Sequence, residues 1–471
     1  MKSATILRES TELFRQGLTE LFDTVDLSDL SPERFETLIK GLKAVANQAS
    51  LAALQSSVEA SDRHDVALLR RAGTTFRFKV ASTKQWLTPF GVATVSRRYY
   101  QPDVGGDGVI PLDEQCGMVD RYCTPDVEEM VAYASALMVP REVETLLGKA
   151  LGRGPSATAI GRVIADVGQF VESHEESIEE AIIERAPLSL DGDVLVISQD
   201  GVTVPMREQG VRCGRPAERP GIRDRATSPT RWREAGVGTV SIYAPPKDGE
   251  KTPQRVDGRV FARMPEPHMQ TLERQMEAVV WDLTQVREFR EVVLICDGKR
   301  TLWDDLCAIP TYEKATKILD VYHVAEHLSR AAEAIFGKQE SSAKKWFETY
   351  RHRLVHEDAG VDVTIRSLRH HRGKLRRGSQ RDDVVRRVIR YLTRNRDKVR
   401  YAEYRRRGLP IGSGPVEAAC KTIVNGRLKR SGMRWSQDGG QQVLNLRTAV
   451  KSNRWNALWS VYQGAALRQA A

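Results

Sequence analysis

Val194-Leu195-Val196-Ile197-Ser198-Gln199-Asp200 is an apolar run that closes on an acid. Its β-branched residues and its length read as a buried strand. An Asp at the carboxyl end of such a strand can meet a ligand without breaking the core. Gly201-Val202-Thr203-Val204-Pro205-Met206 follows at once and is expected as a hairpin partner. Val237-Gly238-Thr239-Val240-Ser241-Ile242-Tyr243-Ala244 reads as a third strand, and Met269 to about Val286 as a helix. Glu291-Val292-Val293-Leu294-Ile295-Cys296-Asp297-Gly298 is a second apolar strand ending in Asp. Lys317 to His323 reads as a short strand running into a helix.

Three strands, a helix, a further strand and later helices are the element order of the ribonuclease H-like fold. That fold carries one acid on its first strand, one on the core strand after the helix and one on a late helix. Asp200 and Asp297 occupy the first two places; Asp191 and Asp193 precede the apolar run and read as turn residues. The third place falls in Ile411-Gly412-Ser413-Gly414-Pro415-Val416-Glu417-Ala418-Ala419-Cys420-Lys421. This is a Gly/Ser turn opening a helix, with Gly414 expected as N-cap, Pro415 at the first helical position and Glu417 at the third. Glu417 there answers the helix dipole whatever else it does. As the last of three acids it would also bind metal. Magnesium takes carboxylate oxygens, waters and phosphate oxygens, and two such ions serve in-line phosphoryl displacement. The expected cofactor is therefore two Mg2+ ions, with Mn2+ able to substitute, held by Asp200, Asp297 and Glu417. Asp200 would bridge the pair.

The chain has 471 residues, is 41% hydrophobic and 28% charged, and so is a globular protein of two or three domains. Its net charge of +10 is unevenly spread. Residues 351–408 hold 19 Lys/Arg against 7 Asp/Glu, a local +12 that exceeds the total. A solvated helix face would be more balanced, so Arg376, Arg377, Arg386, Arg387, Arg390 and Arg394 are expected on DNA phosphates. The six cysteines form no C-x-x-C pair, which points to reduced thiols rather than a zinc ribbon. No secretory core and no apolar run of membrane-spanning length is present in the sequence given, so a cytoplasmic protein with no membrane partner is expected.

Upstream, residues 4 to about 60 show helical periodicity and 75–100 a strand pattern around the Thr88-Pro89-Phe90-Gly91 turn. Glu142–Ala150, the Gly152-Arg153-Gly154-Pro155 break and a helix capped by Ser156 have the helix-turn-helix layout, with Arg162 on the second helix. The acids at 172–176 are expected at the solvated end of one long helix. Residues 209–232 are rich in Arg, Gly and Pro and read as loop. Of Trp303, Trp346, Trp435, Trp455 and Trp459, each is a packing residue or a platform for a base. Trp435 is the best platform candidate, because Arg427, Lys429, Arg430 and Arg434 surround it in sequence and are expected on DNA.

Residues 411–436, through Arg427-Leu428-Lys429 and Ser431-Gly432-Met433-Arg434-Trp435-Ser436, resemble the C-terminal signature of bacterial insertion-sequence transposases of the ISKra type. These are Mutator-like DDE enzymes. The resemblance extends to Asp200-Gly201-Val202, Trp232-Arg233-Glu234-Ala235, Asp297-Gly298 and Asp320-Val321-Tyr322-His323, and upstream to Thr88-Pro89-Phe90-Gly91 and Pro111-Leu112-Asp113-Glu114. It spans most of 75–460 and little of 1–70. It implies an α/β (α+β) multidomain protein with these parts: helical 1–70; a DNA-binding region, 71–186, with a β-hairpin and helix-turn-helix-like segment; a ribonuclease H-like core begun by 187–324; a helical basic insertion, 325–408; and C-terminal core helices, 409–471. It implies a prokaryotic, nucleoid-associated transposase that cuts element ends and joins the 3′-hydroxyl to target DNA. A homo-oligomer on DNA would hold the terminal repeats and target together. Asp320-x-x-His323 is similar to the family's Cys/Asp-x-x-His motif, which would put His323 beside the scissile phosphate. His327 reads as helix packing; with Val324 where a zinc protease needs Glu, the His323/His327 spacing is not a zinc motif. The rivals are a nuclease or resolvase without strand transfer and a silent DNA-binding regulator. The second would lack an acid, and none of the three is missing.

Overall fold

The computed structural model describes residues 2–25, 28, 30–62, 66–71, 73–207, 231–247, 250 and 252–470. Residues 209–230 of the loop expected at 209–232, with Cys213, lie outside the described residues; its last two, Arg231 and Trp232, are strand instead. The chain is mixed α/β with two sheets and divides into two compact units, 1–181 with 455–471, and 182–454.

The first unit begins with two helices, α1 (Lys2–Thr24) and α2 (Pro32–Ser61), the second capped by Ser31, whose side chain accepts from the Arg34 N–H. Strands β1 (Leu68–Arg71), β2 (Thr74–Thr88) and β3 (Gly91–Pro102) form an antiparallel sheet in that order. β2 and β3 meet at the turn read from Thr88-Pro89-Phe90-Gly91, where Thr88 pairs with Gly91. Helices α3 (Pro111–Gln115), α4 (Pro125–Leu137), α5 (Pro140–Leu151) and α6 (Ala157–Ser173) follow. α5 ends on Gly152 at φ +80°, a left-handed cap that side chains disfavour, and Ser156 caps α6 through the Ala159 N–H. The acidic run at 172–176 does not close one long helix. α6 stops at Ser173, His174 is non-helical, and a separate helix, α7 (Glu175–Arg185), starts at Glu175.

The second unit is built on a five-stranded sheet of order β6-β5-β4-β7-β8, formed by β4 (Val194–Met206), β5 (Arg231–Ala244), β6 (Gln254–Arg263), β7 (Glu291–Cys296) and β8 (Thr316–Leu319). β4 pairs antiparallel with β5 and parallel with β7, and β7 pairs parallel with β8. The expected hairpin after Asp200 is absent. β4 runs on through Gly201 to Met206, because β5 pairs with it along its whole length, from Val194–Tyr243 to Met206–Arg231. The sequence reading also missed β6, whose alternation Arg259, Phe261, Arg263 is interrupted by charge.

The sheet explains why its strands read as unbroken apolar runs: both faces are covered. Val194, Val196, Val293 and Ile295 face one core, shared with Val324, Leu328, Leu368, Val388 and Leu392 of later helices. Leu195, Ile197, Leu294 and Cys296 face the other, closed by α8 (Gln270–Val286) and α9 (Arg300–Ala308). Helices α10 (Val321–Phe336), α11 (Ser341–His356), α12 (Gly360–Arg372), α13 (Gln380–Arg394) and α14 (Tyr401–Arg406) make up the basic segment. Then come α15 (Gly414–Ala419), a π-helical turn Cys420–Asn425, α16 (Gly426–Leu428) and α17 (Gln437–Lys451).

The last helix, α18 (Trp455–Ala470), belongs to the first unit rather than with 409–454, where the sequence reading put it. Its Trp455 meets Tyr133 edge-on, Tyr462 meets Phe170 likewise, and the Tyr462 hydroxyl donates to buried Glu128 at 3.1 Å. These contacts join residues more than 280 positions apart, which local spacing cannot reveal. Among the described residues no helix is long and apolar enough to cross a membrane.

Candidate active site

The site begins with strand register. The last β4–β7 pair is Ile197–Leu294, and Asp200 and Asp297 each stand three residues beyond it. The last β7–β8 pair is Cys296–Leu319, and Asp297 and Asp320 each stand one residue beyond it. Adjacent strands lie about 4.8 Å apart, so the register sets three acids in a row across three strands. Asp200 is therefore not at the end of its own strand. It is reachable because β7 stops short and leaves that edge of β4 unpaired by β7 past Ile197.

Asp200 is partly buried. Its Oδ1 accepts the Gly201 N–H at 2.7 Å, and its Oδ2 faces the Cys420 thiol at 3.5 Å. Burial raises its carboxyl above the usual range, the Gly201 bond opposes that, and the Asp297 charge raises it further. Burial also pushes the Cys420 thiol up, next to the Asp200 and Glu417 charges, so it stays a protonated donor. Asp297 holds its loop by accepting the Lys299 N–H at 2.8 Å on Oδ1, and its carbonyl accepts from Trp303 Nε1 at 2.6 Å.

Glu417 reaches the cluster through a link the sequence reading did not assign. Asp320 is fully buried and caps α10, accepting the Tyr322 N–H at 2.6 Å. Its other oxygen accepts from the Ser413 hydroxyl and from the Ser413 N–H at 3.3 Å. Ser413, not Gly414, is the N-cap residue of α15; its hydroxyl is spent on Asp320 rather than on its own helix. This places Glu417 one residue deeper in the first turn than expected. Side-chain donor atoms of Asp320, His323 and Glu417 lie within 4.8 Å of one another. His323 Nδ1 is 3.9 Å from Asp320 Oδ2. The Asp320 carboxylate raises His323 to about 9 despite partial burial, and the Asp297 charge adds to this, so the ring is a cation at neutral pH. The π-helical turn that follows α15 begins at Cys420 and so presents the thiol to Asp200. Such bulges are frequent at functional sites.

Beside Asp200 and Asp297 opens a cleft of about 490 Å³, also lined by Arg233, Glu234, His268 and Lys299. Lys299 Nζ and Glu234 form an ion pair within it. His268 and Met269 both adopt left-handed backbone there, at φ 50° and 49°. Glu234 enters the family resemblance without a role, and His268 stands in no motif. Among the described residues, the donor atoms that converge closely enough for one cation are those of Asp320, His323 and Glu417, whereas Asp200 and Asp297 line the cleft; carboxylates are the donors a hard divalent cation takes, and the protonated His323 is not one.

The other expected contacts divide. Arg376, Arg377, Arg386, Arg387, Arg390 and Arg394 are exposed on or just before α13, and Arg162 is exposed on α6. Lys429, Arg430 and Arg434 are exposed as well. Arg427 is not: it is 1% exposed, its guanidinium lying 5.4 Å over the Trp435 ring. It is a packing residue, and a phosphate cannot reach it in this fold. Trp435 is held as part of the fold too, its Nε1 donating to the Leu428 carbonyl at 2.9 Å and its backbone bridging to Met206. Trp303, Trp346, Trp455 and Trp459 are buried. His327 packs its ring on Tyr391 with centroids 4.1 Å apart.

No known protein family and no curated protein matches this chain. Among solved structures it is similar to the Drosophila P element transposase strand transfer complex, at 13% identity over 72% of this chain and 80% of that one, with a TM-score of 0.24. A likeness of that size carries no argument about this chain.

Proposed function

We propose that the chain is a DNA transposase of the DDE type, with a ribonuclease H-like core, acting on the ends of an insertion sequence. The observation that carries this is the alignment of Asp200 and Asp297 on the neighbouring strands β4 and β7, with Cys420 bonded to Asp200 and within the field of Glu417, whose donor atoms lie within 4.8 Å of those of Asp320 and His323. The strand order, with antiparallel β4, β5 and β6 followed by parallel β7 and β8, supports the fold part of the reading. The resemblance of 411–436 to ISKra-type enzymes supports the substrate part.

Asp200, Asp297 and Glu417 would hold two magnesium ions, which when bound supply activation of the attacking oxygen and neutralisation of the leaving one. The chain's own residues do the rest. Asp320 keeps His323 protonated and oriented, so that the ring can donate to a phosphate oxygen at the cut. Cys420 donates to Asp200 and steadies the carboxylate rotamer. The exposed arginines of α13 grip the phosphate backbone without reading sequence. Sequence choice falls to the α5–α6 pair, with Arg162 outward. Joining two ends calls for a homo-oligomer on DNA.

The test uses labelled oligonucleotides made from the DNA flanking the gene, incubated with a target plasmid and Mg2+ or Mn2+. Joined product is expected from the wild type. None is expected from Asp200→Asn, Asp297→Asn or Glu417→Gln, each of which retains DNA binding. Cut ends without joined product would replace the transposase reading with that of a nuclease. Joining at the wild-type rate by any of the three variants would remove that acid from the catalytic set.

A further inference from the structure

Tyr391 lies on α13, in the basic helical segment, yet its ring meets the catalytic turn. A Cβ built on Gly298, the residue after Asp297, would fall 2.1 Å from the Tyr391 Cε2 and 2.5 Å from its hydroxyl oxygen. No other residue type fits at 298 while that ring is in place. On its other side the ring packs against His327, one turn beyond His323 on α10. Arg394, one turn further along α13, donates to the Gly298 carbonyl at 3.4 Å. The same helix turns Arg386, Arg387 and Arg390 to solvent. The Tyr391 hydroxyl is buried and has no hydrogen-bond partner among the described residues. A buried hydroxyl left unpaired is costly, and such a group in a native fold calls for a partner. It sits close enough for the Asp297 and Asp320 charges to act on it, after burial, in pushing its ionisation up.

We propose that Tyr391 is a positioning residue of the metal site: its hydroxyl supplies a hydrogen bond on the Asp297 side of the site when a divalent cation is held there, and its ring fixes the Asp297-Gly298 turn. The helix that grips DNA thereby also sets the second acid of the cluster. This rests on the metal-binding reading of Asp200, Asp297 and Glu417.

The experiment measures Mn2+ binding to the full chain by isothermal titration calorimetry, with thermal unfolding alongside. Tyr391→Phe keeps the ring on Gly298 and His327 and removes only the hydroxyl. In the absence of metal it should unfold no earlier than the wild type, since it loses an unpaired buried hydroxyl, and it should bind Mn2+ about two- to tenfold more weakly, the effect of one net hydrogen bond. Tyr391→Leu, which also frees the turn, should bind more weakly still. Wild-type Mn2+ affinity in Tyr391→Phe would overturn the proposal while Asp297→Asn still abolishes binding. If Asp297→Asn also binds Mn2+ normally, the metal-site reading itself fails, and the role of Tyr391 with it.

Discussion

The buried carboxylate of Asp320 accepts two hydrogen bonds from Ser413, 93 residues away, from its hydroxyl and its N–H. Asp320 opens the helix that carries His323, and Ser413 opens the helix that carries Glu417. One residue pair therefore locks together the two helix starts whose side chains meet in the cluster.

Ser413→Ala should show this directly. It leaves a fully buried carboxylate short of a donor, at a cost of about 1–3 kcal/mol. Urea unfolding should register that loss, and Mn2+ affinity should fall as Glu417 loosens. A variant as stable as the wild type would mean that the two helix starts are held by packing alone.

The Asp320–His323 pair makes stability depend on pH in a definite direction. His323 is raised in the fold from its ordinary 6.5 to about 9. Its contribution is therefore fully present below about pH 6.5 and is lost as pH rises through about 9. Asp320 is lowered by the nearby His323 and by the bonds it accepts from Ser413 and Tyr322, which outweigh its burial, so its contribution is lost only as pH falls through the acid range. Thermal unfolding of the metal-free protein across pH 6–10 should decline for the wild type and decline less for His323→Gln. Equal slopes would place the ring outside the Asp320 field.

Replacing Arg376, Arg377, Arg386, Arg387, Arg390 and Arg394 with Gln together should flatten the salt dependence of DNA affinity. Each phosphate contact contributes about 0.9 to the slope of log K against log salt, so loss of all six lowers it by about 5. Arg394 also bonds the Gly298 carbonyl, so returning it alone to the set should recover Mn2+ affinity more than salt slope. An unchanged slope would mean that this face of α13 does not touch phosphate.

Arg427→Ala and Arg434→Ala should separate packing from binding within one signature block. Arg427 is buried over Trp435, and its loss should destabilise the fold by about 2 kcal/mol without changing the salt slope. Arg434 is exposed, and its loss should leave unfolding unchanged and lower the slope by about 1. The reverse pattern in unfolding and DNA titration would undo the assignment.

Much of the site was legible in the chain because its signals are local. An apolar run closing on Asp marks a strand near a ligand, and a Gly-Ser-Gly-Pro turn marks a helix start, so Asp200, Asp297 and Glu417 could be named as candidates from element order and the family resemblance together. The helix pair around Gly152 and the charge of 351–408 were equally readable, being runs of neighbours in sequence. The tertiary structure decided what depends on distant partners. β4 continues past Asp200 because β5 pairs along all of it, and the acids align because of the parallel register at Ile197–Leu294 and Cys296–Leu319. The same holds for Asp320, whose role lies in bonds to Ser413, for Arg427, whose charge is folded beneath Trp435, and for Tyr391, seated on Gly298 from 93 residues away. Side-chain type and spacing state what a residue can do; which groups it meets is set by pairing and packing between segments that composition and periodicity treat as independent.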